Sequence, residues 1–224
     1  SDTTIEDISS KTSDGTITVE WSETDGANQY IVYRSTDGET YSKLATVASG
    51  IGEYTDTGVK PGTMYYYKVR AARIKTVASS YSYYSDVLNA VCLGKTTLNS
   101  VKSSSTGGIT LKWSSVTGAG TYRIYRSTKK SSGYTRIADV EADATEYTDT
   151  DIKGNVVYYY KVRAYKKCSG GNLGAFSSVL SAKALAAAVI KKFTVSKKNV
   201  TITWKAVDGA EKYVVQRSTS RNGT

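Results

Sequence analysis

The sequence predicts an all-β chain of sandwich modules, and three observations predict it. Its 224 residues include 19 Tyr and 19 Gly with abundant Ser and Thr, one Pro and no His. That usage favours strands and turns over helices. The chain also repeats: Trp21, Trp113 and Trp204 stand 92 and 91 residues apart. Finally, Tyr65 to Ala71 alternates, with Tyr65, Tyr67, Val69 and Ala71 on one face and Tyr66, Lys68 and Arg70 on the other. The same pattern returns from Tyr158 to Ala164. Period-two alternation marks a strand with one buried and one wet face.

Shorter signatures fix the period. Tyr33-Arg34-Ser35-Thr36 recurs as Tyr125-Arg126-Ser127-Thr128, and as Arg217-Ser218-Thr219 after Gln216. Tyr54-Thr55-Asp56-Thr57 recurs as Tyr147-Thr148-Asp149-Thr150. The repeats divide the chain into 1–93, 94–186 and a shorter third unit, 187–224, expected to be the first part of a further repeat in a longer array.

Each element of repeat 1 follows from local pattern. A weak strand spans Ile5 to Ser9, and Ser13-Asp14-Gly15 turns the chain. Ile17, Val19 and Trp21 point one way in the second strand, and Tyr30 and Val32 do so in the third. Thr36-Asp37-Gly38 is a turn, followed by strands at Tyr41–Val47 and Glu53–Thr57. Lys60-Pro61-Gly62-Thr63 forms a corner before the Met64–Arg73 strand. A loop from Ile74 to Tyr83 leads to a last strand, Ser85–Val91. Repeat 2 gives strands near 97–101, 109–113, 121–127, 135–140, 146–149, 156–166 and 177–185. Seven short strands separated by turn signals every ~8–12 residues argue a β-sandwich, and ~92 residues can bury a core of their own. In the third unit, Val200–Trp204 and Tyr213–Val215 read as strands without partners. Its open edges predict packing on repeat 2, disorder, or pairing with another chain.

Trp on the second strand, Tyr-x-Val on the third, and Val59-Lys60-Pro61-Gly62-Thr63-Met64-Tyr65 leading into Tyr-x-Val-x-Ala resemble a fibronectin type III domain. The fold implied is a tandem of immunoglobulin-like, seven-stranded β-sandwiches with a truncated third repeat. Val59/Tyr65 and Ile152/Tyr158 both match the family's aliphatic-to-tyrosine spacing. By this resemblance Tyr65 and Tyr158 are corner tyrosines, each hydroxyl bonding backbone upstream. Gly154-Asn155 replaces Pro61-Gly62 and is expected to loosen the second corner. The Tyr-Arg-Ser and Tyr-Thr-Asp-Thr signatures look like the bacterial branch of the family, implying an extracellular, secreted or wall-attached setting.

The net charge of +10 is uneven. Repeat 1 carries 8 Lys and Arg against 12 Asp and Glu, repeat 2 carries 14 against 6, and the third unit 8 against 2. A uniformly basic nucleic-acid binder would not begin with an acidic module, so no nucleic-acid partner is expected. No apolar run approaches the ~20 residues of a membrane-spanning helix. Ser1-Asp2-Thr3-Thr4 has neither the basic start nor the apolar core of a signal peptide.

Chemistry is read mainly by exclusion. Without His, Ser-His-Asp and Cys-His catalysis are ruled out, and no phosphate-cradling motif is present. The acidic residues of repeat 1 sit on turns and outward positions, so no enzyme activity and no cofactor are expected. Asp56 and Asp149 lack the further oxygens of a calcium site; Asx-type turns explain them better. Trp21, Trp113 and Trp204 are expected in cores, and Tyr84, aligned with Phe176, likewise. Candidate ligand-facing residues are Tyr81 and Tyr83 in the late loop, whose Tyr and Ser make adaptable contacts, and outward Tyr66 and Tyr159. No Arg-Gly-Asp occurs. Cys92 and Cys168 leave two readings open: free thiols, or a bridge across the junction between repeats that would close a ~77-residue loop.

The function expected is a non-catalytic extracellular spacer and adhesion segment of a bacterial surface or secreted protein. Its partners would be neighbouring domains and a protein, cell-wall or glycan surface. The alternatives are a dedicated host-protein or glycan-binding module, or an accessory segment of a carbohydrate-active enzyme. The short junctions at Val91–Gly94 and Ala184–Ala187 do not resemble Gly/Ser tethers and favour semi-rigid rods.

Overall fold

The computed structural model describes residues 5–11, 15–104, 107–169 and 173–219. The Ser1–Thr4 start and the Ser13-Asp14 part of the expected first turn lie outside them.

The first module contains β1 (Ile5–Lys11), β2 (Thr16–Trp21), β3 (Gln29–Ser35), β4 (Ser42–Ala48), β5 (Glu53–Asp56), β6 (Met64–Arg73), β7 (Ser80–Tyr81) and β8 (Leu88–Val91). One sheet has the order β1-β2-β5. The other has β4-β3-β6, with β7 and β8 both pairing the far edge of β6. The second module contains β9 (Leu98–Ser103), β10 (Ile109–Trp113), β11 (Thr121–Ser127), β12 (Thr135–Glu141), β13 (Glu146–Asp149), β14 (Val157–Tyr165) and β15 (Leu180–Lys183). Its sheets run β13-β10-β9 and β12-β11-β14-β15, the same arrangement. Every pairing is antiparallel, and β3 aligns with β6 so that Tyr30 faces Ala71 and Val32 faces Val69.

The alternation works as expected. Ile17, Val19, Tyr30, Val32, Tyr67 and Val69 are completely buried in the first core, with Trp21 against them. Ile109, Leu111, Tyr122, Ile124, Tyr160 and Val162 fill the second, with Trp113. Stiff β-branched and aromatic side chains pack well on a pleated, half-buried surface. The Trp–Tyr pairs sit with ring centres 5.6 Å apart in the first core and 5.5 Å in the second.

Several local expectations change. The loop after β6 contains β7, and the last strands are shorter than the runs Ser85–Val91 and Ser177–Leu185. Ser85 and Ser177 lie outside those strands but each makes a two-way contact with the neighbouring strand: their amides donate to the Val69 and Val162 carbonyls at 2.8 Å, and their hydroxyls accept from the amides of the same residues at 3.0 Å. Tyr84 is not core. Since Ser85 is the inward residue, its neighbour Tyr84 turns to the outer face, edge-on to Tyr33 at 5.3 Å. Among the described residues of the third unit, the strands are β16 (Ile190–Ser196) and β17 (Asn199–Trp204). Residues 213–215 make no strand, because no counterpart of β6 or β14 lies among the described residues to pair them. Trp204 is half-buried, yet it keeps its partner Tyr213 at 5.3 Å.

The joint between the first two modules is tight. Val91 and Leu93 are buried in the second module's core, and Met64 packs against it. Gly62 (φ 78°) meets the Thr117-Gly118 turn so closely that a Cβ on Gly62 would lie 2.7 Å from the Thr117 carbonyl. Gly62 also donates its amide to the Cys92 carbonyl at 2.9 Å. The third unit meets the second through the equivalent turn but different partners: Lys183 pairs with Asp208 at 2.8 Å, and Gly209 abuts the Leu185 side chain.

Candidate functional site

The repeated signatures converge on one network. Asp56, at the end of β5, reaches the opposite sheet. It accepts hydrogen bonds from Arg34 of β3 and from the Tyr67 hydroxyl of β6, both at 2.8 Å. Its other oxygen accepts from the Gly58 amide at 2.8 Å, the Asx turn expected from the sequence. Asp149 repeats this with Arg126 at 2.9 Å, Tyr160 at 2.8 Å and the Asp151 amide at 3.2 Å. Both carboxylates are almost completely buried. Burial comes first and the hydrogen bond to the neighbouring carboxylate second in pushing the Tyr67 and Tyr160 hydroxyls well above the ordinary phenol range. Burial alone would depress the Arg34 and Arg126 guanidinium groups. The hydrogen bond and charge of Asp56 and Asp149 outweigh it and raise both. The carboxylates are thus saturated structural anions that join the two sheets. The ion pairs were legible in neither signature alone, because Arg34 and Asp56 stand 22 residues apart on different sheets.

The third residue of the signature sets a turn. The Ser35 hydroxyl donates to Asp37 at 2.6 Å and accepts from the Gly38 amide at 3.0 Å. That Ser35 hydrogen bond is the largest influence holding Asp37 far below the usual carboxylate range, with the Thr40 and Glu39 amides adding to it.

The corner tyrosines take their expected places. Tyr65 Oη accepts from the Lys60 amide and Tyr158 Oη from the Lys153 amide, both at 2.9 Å. The second corner is no looser than the first: Asn155 adopts φ 66°, the left-handed conformation that Gly62 holds in repeat 1, and Asn tolerates it better than most residues. Two antiparallel sheets of this order, each module pinned by a tyrosine corner, make tandem immunoglobulin-like β-sandwiches with the fold that the fibronectin type III resemblance implies.

No protein-family model matches the chain. Exoglucanase B of Cellulomonas fimi is 30% identical over 222 residues, covering 87% of this chain and 19% of that protein. An amylopullulanase of Thermoanaerobacterium saccharolyticum is 51% identical over 47 residues, 21% of this chain and 4% of that protein. The amylopullulanase of Thermoanaerobacter thermohydrosulfuricus is 39% identical over 79 residues, 35% of this chain and 5% of that protein. The chain therefore spans less than a fifth of the curated relatives it matches. Among solved structures, the FN1–FN3 domains of chicken CNTN1 are similar at 22% identity and TM-score 0.42, covering 81% of this chain and 64% of that one.

The outer face of the β4-β3-β6 sheet carries the remaining candidates of these β-sandwiches. Arg70 stacks 4.4 Å over Tyr81 and 5.1 Å over Tyr84, and Lys68 lies between Tyr41 at 4.2 Å and Tyr84 at 4.0 Å. The second module repeats the ladder. Lys161 lies between Tyr134 at 4.4 Å and Phe176 at 3.9 Å, and Arg163 stacks 4.3 Å over Phe176. Cation–π contacts on such a partly exposed face contribute about 0.5–1 kcal/mol each. Tyr81 is thus part of the ladder, while Tyr83 stands beside it, 84% exposed. Tyr66 lies over the Gly38 turn, where a Cβ would touch its ring at 3.4 Å. Tyr159 lines an open depression of about 480 Å³ with Val101, Lys130 and Leu180. The structure therefore brings Tyr81 together with Arg70, and through Tyr84 with Lys68, and places Tyr66 and Tyr159 at the other end of each ladder, beside Tyr41 and Tyr134. Outward Lys68 and Arg70 are legible in the alternation; their aromatic partners across loops are not.

Cys92 and Cys168 are not joined by a disulfide. Strand register makes Cys92 the equivalent of Ala184, a small buried residue at the module's end. Burial pushes its thiol pKa up, which makes it less reactive. Cys168 packs at the edge of the second core with its sulfur 3.6 Å from the Lys166 carbonyl.

Proposed function

We propose that this chain is a non-catalytic spacer segment of a secreted bacterial carbohydrate-active protein. It holds neighbouring domains at a set distance and angle. The observation that carries the reading is the joint: Leu93 is sunk in the next module's core and Gly62 is pressed against Gly118, so the modules cannot swivel freely. The exoglucanase and amylopullulanase similarities support a place beside polysaccharide-degrading domains, and with it an extracellular location. A non-catalytic role is supported by the two buried carboxylates, whose oxygens are occupied by Arg, Tyr and backbone amides. Small-angle X-ray scattering tests the spacer: one elongated particle of fixed length is expected, whereas a broad spread of shapes argues against it. Release of reducing sugar from glucans by the purified chain would refute the non-catalytic reading.

A dedicated binding role is favoured by one observation, the exposure of Val77, Tyr81 and Tyr83 in the late loop. Binding that disappears on Tyr81→Ala and Tyr83→Ala substitution would support it.

A further inference from the structure

Three Asp-Gly pairs lie wholly among the described residues: Asp25-Gly26, Asp37-Gly38 and Asp208-Gly209. Without a Cβ, glycine leaves the amide after an aspartate open to the carboxyl carbon. Attack needs that amide nitrogen unengaged and the carboxyl able to take up a proton. At Asp37 both are tied. Its Oδ1 accepts from the Ser35 hydroxyl at 2.6 Å and from the Glu39 and Thr40 amides at 2.8 Å, while the Gly38 amide donates to Ser35 Oγ at 3.0 Å. Those hydrogen bonds hold Asp37 ionised, far below the usual carboxylate range. Asp25 and Asp208 stand in equivalent turns, each closed by an alanine amide, Ala27 to Thr24 and Ala210 to Val207, at 3.1 Å. Backbone geometry is thus matched, and Lys183 separates them: it holds the Asp208 carboxylate at 2.8 Å and lowers its pKa. The same turn at the tight joint carries Thr117 ahead of Gly118. Asp25 and Gly26 are exposed, and among the described residues neither the Asp25 carboxylate nor the Gly26 amide has a hydrogen-bond partner.

We propose that Asp25-Gly26 is a site of spontaneous covalent modification in the folded chain, where aspartate isomerises to isoaspartate. The Gly26 nitrogen attacks Asp25 Cγ; the N–Cγ bond forms, a Cγ–O bond breaks, and one water leaves to give a five-membered succinimide. Water then adds at the Asp25 main-chain carbonyl carbon, and the bond from that carbon to the Gly26 nitrogen breaks. The chain now runs through Cβ and Cγ, and the carboxylate stands on Cα. One water leaves and one returns, so the step needs no oxidant, reductant or enzyme. The product lengthens by one methylene the turn ahead of β3, whose counterpart Thr117-Gly118 fits against Gly62 at the joint. Lys183 protects the matching turn of the third unit by reaching it from the second module. The inference goes beyond the spacer reading and does not depend on it.

The test is to age the full chain at 37 °C and about pH 6, where ordinary carboxyls still exchange protons, and to follow each site by peptide mapping. Electron-transfer fragmentation gives isoaspartate its own backbone ions and separates Asp25 from Asp14, which shares its tryptic peptide. In the folded chain Asp25 should isomerise about tenfold faster than Asp37, whose charge-assisted hydrogen bonds must first break. Asp208 should lag Asp25 by about two- to fivefold, the worth of an exposed ion pair. Lys183→Gln should bring Asp208 up to the rate of Asp25, and Ser35→Ala should speed Asp37 while leaving Asp25 unchanged. The same incubation in urea, which needs no variant, should bring the three rates together. Equal rates at the three sites in the folded chain, or isoaspartate at Asp25 in urea alone, would overturn the proposal.

Discussion

Arg34 and Asp56 sit on opposite sheets of one sandwich and pair at 2.8 Å, with the Asp56 side chain only 2% exposed. Removing the carboxylate leaves the Tyr67 hydroxyl buried without its acceptor and Arg34 without its anion. Breaking a buried pair from one side is far costlier than its net worth. Asp56→Ala and Asp149→Ala should each destabilise their module by about 3 kcal/mol, read from urea denaturation. Arg34→Leu should cost at least as much, since it leaves the Asp56 carboxylate, 2% exposed, without its cation. A loss below about 1 kcal/mol on Asp56→Ala would show that the network is not structural.

The same network predicts an alkaline limit. Folding raises the Tyr67 and Tyr160 pKa values above the unfolded ~10. Their contribution is therefore complete below about pH 10 and is lost as pH rises toward the folded values. Of the 19 tyrosines, these two should ionise only as the sheets unfold. Phenolate absorbance followed alongside circular dichroism checks this; a single step with every tyrosine ionised and the sheet signal intact would contradict it.

The two corners should respond alike. Tyr65→Phe and Tyr158→Phe each remove one hydrogen bond to a backbone amide and should cost about 1 kcal/mol. Asn155→Ala forces a Cβ residue into φ 66° without the amide side chain and should cost about as much, while Asn155→Gly should be close to neutral. Thermal melts of the four variants measure this. A harmless Asn155→Ala would mean the second corner does not need its left-handed residue.

How far the sequence could be read depends on whether the cause was local. Alternation and repeat spacing revealed the strands, the inward Trp21 and Trp113, and the corners, because period-two burial and six-residue spacing are local. The Arg34–Asp56–Tyr67 tie was hidden, since three strands on two sheets supply it. Alignment of Tyr84 with Phe176 identifies equivalent positions but not the face they occupy, which is the outer one. The inward Ser85 beside it carried the missing signal, a small polar residue whose hydroxyl could serve a buried amide. The third-strand tyrosines held another device: Tyr30, Tyr122 and Tyr213 each accept from the amide six residues upstream, at 2.6, 2.6 and 2.5 Å. That contact lies within one loop, which is why it persists in the third unit where the strand itself does not form.

Leu93 and the Gly62–Gly118 contact fix the joint between the first two modules, and a distance distribution across it reads that rigidity directly. Spin labels at Lys43→Cys and Asp143→Cys, both exposed, in a Cys92→Ala/Cys168→Ser background, would report it by double electron–electron resonance. A single narrow distance is expected. It should broaden in Gly118→Ala, because a Cβ there collides with the Gly62 backbone and Gly118 itself sits at φ 80°. A broad distribution before any change at Gly118 would contradict the spacer account.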